Sequence, residues 1–244
     1  SHLRLMRPMD IQVNLPRSSR PPVQPLSTAQ AQAVDRYVRQ APTARKVGLL
    51  LCLQLGLRIG EVCGLQWGDF DLENKTLTIQ RTVQRIVLPG GGTRLAIQTP
   101  KTQNSLRQLP LPARLCSLLQ TVRKALPDTA WVLTGSTRKP AEPRNFRRSI
   151  RVYLLRAQVP PVHPHALRHT FATLCLQAGC DIKTLSELLG HSNAAVTLQR
   201  YVHTSLNQKR LEMRRVFSAC FAPKGSVKGA SRPQTPHFSC VLRD

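Results

Sequence analysis

Thr76-Leu77-Thr78-Ile79-Gln80-Arg81-Thr82-Val83-Gln84-Arg85-Ile86-Val87-Leu88 is rich in Thr, Ile and Val and alternates between polar and apolar residues, the pattern of a half-buried β-strand. Pro89-Gly90-Gly91-Gly92 follows as a turn. Thr93 to Thr99 repeats the β pattern, Lys101 to Ser105 is a second turn, and Leu106 to Leu111 is a third strand. Consecutive strands joined by short turns pair antiparallel. Around this insert the chain reads as helical. Upstream, Ser27 and Gln30 make a capping box, and the helix it starts should run to about Gln40. A second helix is expected from Ala44 to Leu55, stopping near Gly56, and a short one from Ile59 to Gln66. Beyond Pro112, helices are expected over Ala113 to Ala125, Glu142 to Ala157, His165 to Ala178, Ile182 to Leu189, and Ala194 to about Phe217, the last broken near Tyr201. The expected class is α+β, mainly α-helical with a small three-stranded antiparallel sheet. Residues 1–25 hold Pro8, Pro16, Pro21, Pro22 and Pro25 and read as a linker or arm. Residues 26–217 read as one domain, and 218–244 as a basic flexible tail.

The 244 residues carry 36 Lys+Arg against 12 Asp+Glu, a formal net charge of +24, with 41% hydrophobic residues. That apolar content supports a real core and excludes a wholly disordered basic chain. No apolar run approaches the roughly 18 residues of a membrane span, and no secretory signal is visible. The seven cysteines form no CxxC pair and sit mostly in apolar context, as free thiols in a reducing compartment do. A large positive charge implies a polyanionic partner. Arg138, Lys139, Arg144, Arg147, Arg148, Arg151 and Arg156 crowd one segment, opposed by Glu142 alone, with Ile150, Val152, Tyr153, Leu154 and Leu155 interleaved. This describes a helix with a basic face suited to nucleic-acid phosphates more than to a membrane surface. Aromatic residues, at 5%, are too few for base stacking to dominate.

Several strings carry chemistry. Arg58 follows Gly56, where a helix ends, and its planar guanidinium can grip two phosphate oxygens. Glu61 shares its helical face at i,i+3, so a local ion pair accounts for it as well as any other role. Thr99-Pro100-Lys101-Thr102 puts Lys101 in a turn, where a lysine is ordinarily solvated. In Pro164-His165-Ala166-Leu167-Arg168-His169, His165 and Arg168 face one way from a helix N-terminus, a natural phosphate site. His169 reads as a packed histidine, since HxxxH lacks a third metal ligand here, and His163 could reach a nucleic acid or lie exposed. His191 follows Leu189-Gly190 at a helix end. Arg200-Tyr201 holds one of three tyrosines. A phenol, with an ordinary pKa of about 10, is a poor nucleophile unless cations favour the phenolate.

In order and spacing, these strings resemble the catalytic domain of the tyrosine recombinase (phage integrase) family, over about 26–217, and in detail the integrases of conjugative transposons. The resemblance implies that Arg58 and Arg168 clamp the scissile phosphate. It makes Glu61 an acidic partner that orients neighbours and Lys101 the general acid for the leaving 5′-oxygen. His165 would bond the phosphate or accept the tyrosine proton, His191 would donate to a phosphate oxygen, and Tyr201 would be the nucleophile. It implies a 3′-phosphotyrosyl intermediate and a Holliday junction, with neither metal nor ATP nor another cofactor. The partners implied are double-stranded DNA, a homotetramer on DNA and accessory DNA-bending proteins. The setting implied is cytoplasmic and nucleoid-associated, in a bacterium. Arg138, Lys139, Arg144, Arg147, Arg148, Arg151 and His203 are candidate DNA contacts. The segment from Leu206 to Phe217 could dock on a neighbouring subunit or pack on its own domain. Residues 1–25 leave no room for the N-terminal DNA-binding domains usual in the family, so a catalytic domain with its incoming linker is expected. Related readings are a chromosome-dimer resolvase of the Xer type and a type IB topoisomerase.

Overall fold

The computed structural model describes residues 24–99 and 106–191. Helix α1 (Thr28–Gln40) starts as expected: Ser27 accepts from the Gln30 N–H and the Gln30 side chain accepts from the Ser27 N–H. Thr43 caps α2 (Ala44–Gln54), in which Val47 through Leu53 are all buried. A helix apolar on every side belongs at the centre of a core, and α2 packs against α1, α4 (Ala113–Arg123), α5 (Pro143–Arg156) and α6 (Pro164–Gln177). Gly48 makes this possible, since a Cβ there would meet Leu133 at 2.5 Å and Phe146 at 2.9 Å. Helix α3 is Ile59–Cys63, and α7 is Ile182–Leu189.

Helix α3 is shorter than expected because the chain leaves it to pair with a distant segment. The Trp67 N–H donates to the Ala130 carbonyl, and the Val132 N–H to the Leu65 carbonyl. A 3-10 turn at Trp67–Asp69 then leads into the strands. Helix α4 stops two residues early, where Lys124 takes φ +53°.

The β insert departs most from expectation. Strands β1 (Phe70–Asp71), β2 (Thr76–Ile79) and β5 (Arg107–Pro110) form one antiparallel sheet in the order β1-β2-β5, with Leu77 opposite Phe70 and Leu109. Strands β3 (Thr82–Val87) and β4 (Thr93–Gln98) form a separate hairpin, Thr82 opposite Gln98. The expected first strand therefore breaks at Gln80-Arg81. Asp69, buried, draws both side chains: Gln80 donates to it at 2.6 Å and Arg81 at 2.5 and 2.6 Å. Beyond the break the hairpin packs on α3 through Gly60, where a Cβ would meet Thr82 and Val83 below 3.0 Å.

The main core joins α1–α5 to the inward faces of the sheet, while Ala172, Leu185 and Leu189 form a smaller cluster between α6 and α7. Cys52, Cys63 and Cys116 are buried free thiols, and Cys175 and Cys180 are half-buried free thiols. Among the described residues no helix is long and apolar enough to cross a membrane. The helix expected from Ala194, and with it the segment from Leu206 to Phe217, lies outside the described residues.

Candidate functional site

The site is built around the C-terminal end of α7. Asp181 caps the start of this helix, and Gly190 ends it in a left-handed turn, φ +63°. The last carbonyls of any helix lack intrahelical partners and carry its negative dipole end. Here three consecutive ones each receive an arginine from a different element. Arg107 Nε, on β5, donates to Leu188 O at 2.9 Å. Arg168 Nη2, on α6, donates to Leu189 O at 2.6 Å. Arg58 Nη2, preceding α3, donates to Gly190 O at 3.2 Å. His191 is the next residue, half-buried, its N–H bonded to Ser186 O at 3.0 Å.

Each arginine is held from its own side as well. Gly56 ends α2 with φ +63°, and a Cβ there would meet Phe171 at 2.5 Å. This turn aims the Gly56 carbonyl at Arg168 Nη1, 2.7 Å away. Arg168 is 4% exposed, although it lies one turn from the exposed His165. His163 caps α6 by accepting from the His165 N–H, and the two rings stack at 5.2 Å. His169 is half-buried on the same helix.

Arg58 occupies the N-cap position of α3, and Glu61 reaches back to it. Glu61 Oε2 accepts from the Arg58 N–H and Oε1 from Arg58 Nη1, both at 2.8 Å. Arg107 completes the cluster with a two-pronged grip on the same carboxylate, at 3.0 and 3.1 Å. Burial alone pushes the Glu61 carboxyl up. The hydrogen bonds and charge of Arg107, then the charge of Arg58, outweigh burial and hold it below the usual carboxylate range. Cys52 is fully buried, and that burial pushes its thiol up to about 12.

Sequence reasoning missed Arg107, whose partners lie 46 and 81 residues away. The available signal was phase: Arg107 alternates in step with buried Leu109 and Leu111, so its side chain belongs to the buried face.

The structure therefore brings Arg58, Glu61, Arg168 and the residue before His191 together, with His165 at the adjoining helix start. Lys101, Tyr201 and His203 lie outside the described residues. Arg138 and Lys139 are exposed in the loop before α5. On α5, Phe146, Ile150 and Leu154 are buried, while Arg144, Arg147, Arg148 and Arg151 are exposed within an arc of about 100°. Glu142, the acid opposing them, is engaged by Arg85 of β3, whose hydrogen bond holds its carboxyl below the usual range. Burial first, then the charge of Arg147, lowers the pKa of His163. Among the described residues no group of His, Cys, Asp or Glu is arranged to hold a metal ion. Guanidinium groups converging at one point are chemically suited to a phosphate group.

Residues 25–208 match the phage integrase family model. The chain belongs to the phage integrase family. Over 182 residues it is 36% identical to a "Tyrosine recombinase XerC-like" protein of Caldanaerobacter subterraneus subsp. tengcongensis, a match covering 67% of this chain and 46% of the relative. It is 29% identical to the "Transposase from transposon Tn916" of Enterococcus faecalis over 190 residues, 69% of this chain and 44% of the relative. The chain thus spans about half the length of the curated relatives it matches. Among solved structures, the Tn1549 transposon integrase in complex with circular intermediate DNA has a TM-score of 0.66 at 27% identity, covering 81% of this chain and 68% of that one. The α+β fold expected for a tyrosine recombinase is the one observed, with the split sheet as its correction.

Proposed function

We propose that this chain is the catalytic part of a site-specific DNA recombinase, an integrase that cuts and rejoins double-stranded DNA for a mobile element. The single observation that carries the reading is the convergence of Arg58 and Arg168 on adjacent carbonyls at the end of α7, Gly190 and Leu189. Two guanidiniums so fixed, with His191 following and His165 one turn from Arg168, suit one phosphodiester and the charge it gains in a pentavalent transition state. Tyr201 attacks the phosphorus, forming the bond from its phenolic oxygen as the bond to the 5′-oxygen breaks. His165 takes the phenolic proton or bonds the phosphate, and Lys101 protonates the leaving 5′-oxygen. The 3′-phosphotyrosyl bond preserves the phosphodiester energy, and the 5′-hydroxyl of a partner strand reverses the step. Two such rounds pass through a Holliday junction within a homotetramer. Accessory DNA-bending proteins assist, and the setting is the bacterial nucleoid. The DNA-bound Tn1549 integrase supports duplex DNA as the partner, and the exposed arginines of α5 supply phosphate contacts, with Arg138, Lys139 and His203 as further candidates. Catalysis occupies 26–217, with 1–25 as incoming linker and 218–244 as a basic tail.

The likeness to a XerC-like recombinase favours a second reading, a chromosome-dimer resolvase using the same chemistry. The test common to both is a nicked suicide duplex, its sequence selected from random DNA by the protein itself. The wild type is expected to give a covalent protein–DNA adduct on a denaturing gel, and Tyr201→Phe none. Relaxation of supercoils without recombinant product would point instead to a type IB topoisomerase activity.

A further inference from the structure

We infer that Arg107 is a positioning residue for strand cleavage, acting through Glu61 and the end of α7; the inference rests on the recombinase reading above. The Arg107 side chain is 6% exposed. Its Nη1 and Nη2 donate to the two Glu61 oxygens at 3.1 and 3.0 Å, and its Nε to Leu188 O at 2.9 Å. Each Glu61 oxygen is therefore shared. Oε1 accepts from both Arg58 Nη1 and Arg107 Nη1, and Oε2 from both the Arg58 N–H and Arg107 Nη2. With two arginines on one carboxylate, the plane of that carboxylate is set by Arg107 and passed on to the Arg58 guanidinium.

The Nε bond acts on the other half of the site. It satisfies the first of the three carbonyls whose successors hold Arg168 and Arg58. Freeing Leu188 O loosens the last turn of α7, and with it the acceptors of both arginines and the backbone of His191. A merely structural role for a buried ion pair predicts stability as its only consequence, and such pairs are weak stabilisers relative to apolar packing. A positioning role predicts a loss of chemistry that exceeds any loss of folding or of DNA affinity.

Arg107→Lys separates the two. It keeps the charge, but an ammonium is a point charge and cannot span both carboxylate oxygens and a carbonyl in one plane. The full chain is used with the nicked suicide duplex. Three quantities are measured: the single-turnover rate of adduct formation at saturating DNA, duplex affinity in the Tyr201→Phe background, and thermal unfolding. The expectation is a cooperatively folded R107K variant whose adduct rate falls at least tenfold while duplex affinity stays within twofold. Combining R107K with Glu61→Gln should cost little more than the larger single change, because both act through one carboxylate. A wild-type adduct rate in R107K overturns the inference. So does a loss of rate that tracks affinity or folded fraction, or an R107K variant that does not fold at all. Absence of an adduct from the wild type with its selected duplex overturns the recombinase reading itself, a different failure from any of these.

Discussion

Arg168 donates to the Gly56 carbonyl at 2.7 Å across 112 residues of sequence, pinning α6 to the chain two positions before Arg58. The same guanidinium holds Leu189 O, so three separated segments share one side chain. The placement of Arg168 is thus a property of buried hydrogen bonds to two other segments and not of a surface loop.

Truncating Arg168 to Ala strips two buried carbonyls of a charged donor. The expected cost is about 3 kcal/mol of unfolding free energy. Arg168→Lys should recover part of it, because an ammonium can reach one carbonyl well but not both. Urea denaturation of the two variants measures this, and an unchanged midpoint for Arg168→Ala would mean that both carbonyls find other donors.

Gly56→Ala should be far more damaging than Gly90→Ala. Both glycines have positive φ, a strain of about 1 kcal/mol for alanine. Only at Gly56 does the added methyl also meet neighbours, Phe171 at 2.5 Å and Leu189 at 2.9 Å, whereas nothing lies within 4 Å at Gly90. Overpacking adds about 1–3 kcal/mol, so thermal unfolding should separate the pair by several degrees.

Acid stability should depend on Glu61. Its folded pKa lies below the unfolded value of about 4.3, so the folded state prefers the carboxylate. The contribution is fully present above that unfolded value and is lost as pH falls through the lower folded one. Glu61→Gln should therefore be less stable than wild type at pH 7, with the gap narrowing as pH falls below about 4. Parallel unfolding curves down to pH 3 would contradict the assignment.

The basic face of α5 should set salt dependence more than sequence preference. Replacing Arg144 and Arg148 with Gln should weaken duplex binding by a similar factor on selected and unrelated DNA. It should also reduce the slope of log K against log salt by about 0.9 for each phosphate that is no longer neutralised. Fluorescence anisotropy over a salt series measures both. Weakening confined to the selected sequence would make these arginines base readers.

Legibility followed the range of each interaction. Ser27 and Gln30 announce α1 because a capping box is complete within one turn. Gly56 and Gly190 announce helix ends because a left-handed residue is a local need, and His165 and Arg168 share a face by helical geometry alone. The break at Gln80-Arg81 was not legible, since the residue that causes it, Asp69, acts through side chains that look like ordinary strand positions. Arg107 was hidden for the same reason: nothing near it in sequence says that Glu61 and α7 will arrive beside it. The candidate site was readable as a set of strings. Its assembly on three successive carbonyls was not.

In the proposed reaction Tyr201 is joined to DNA at a phosphate held by Arg58 and Arg168. The most direct measurement is mass spectrometry of the adduct after protease and nuclease digestion. The expected result is a single modified peptide carrying a nucleotide 3′-phosphate on Tyr201, with a free 5′-hydroxyl on the released strand. A nucleotide on Tyr37 or Tyr153, or one attached through a 5′-phosphate, would contradict it.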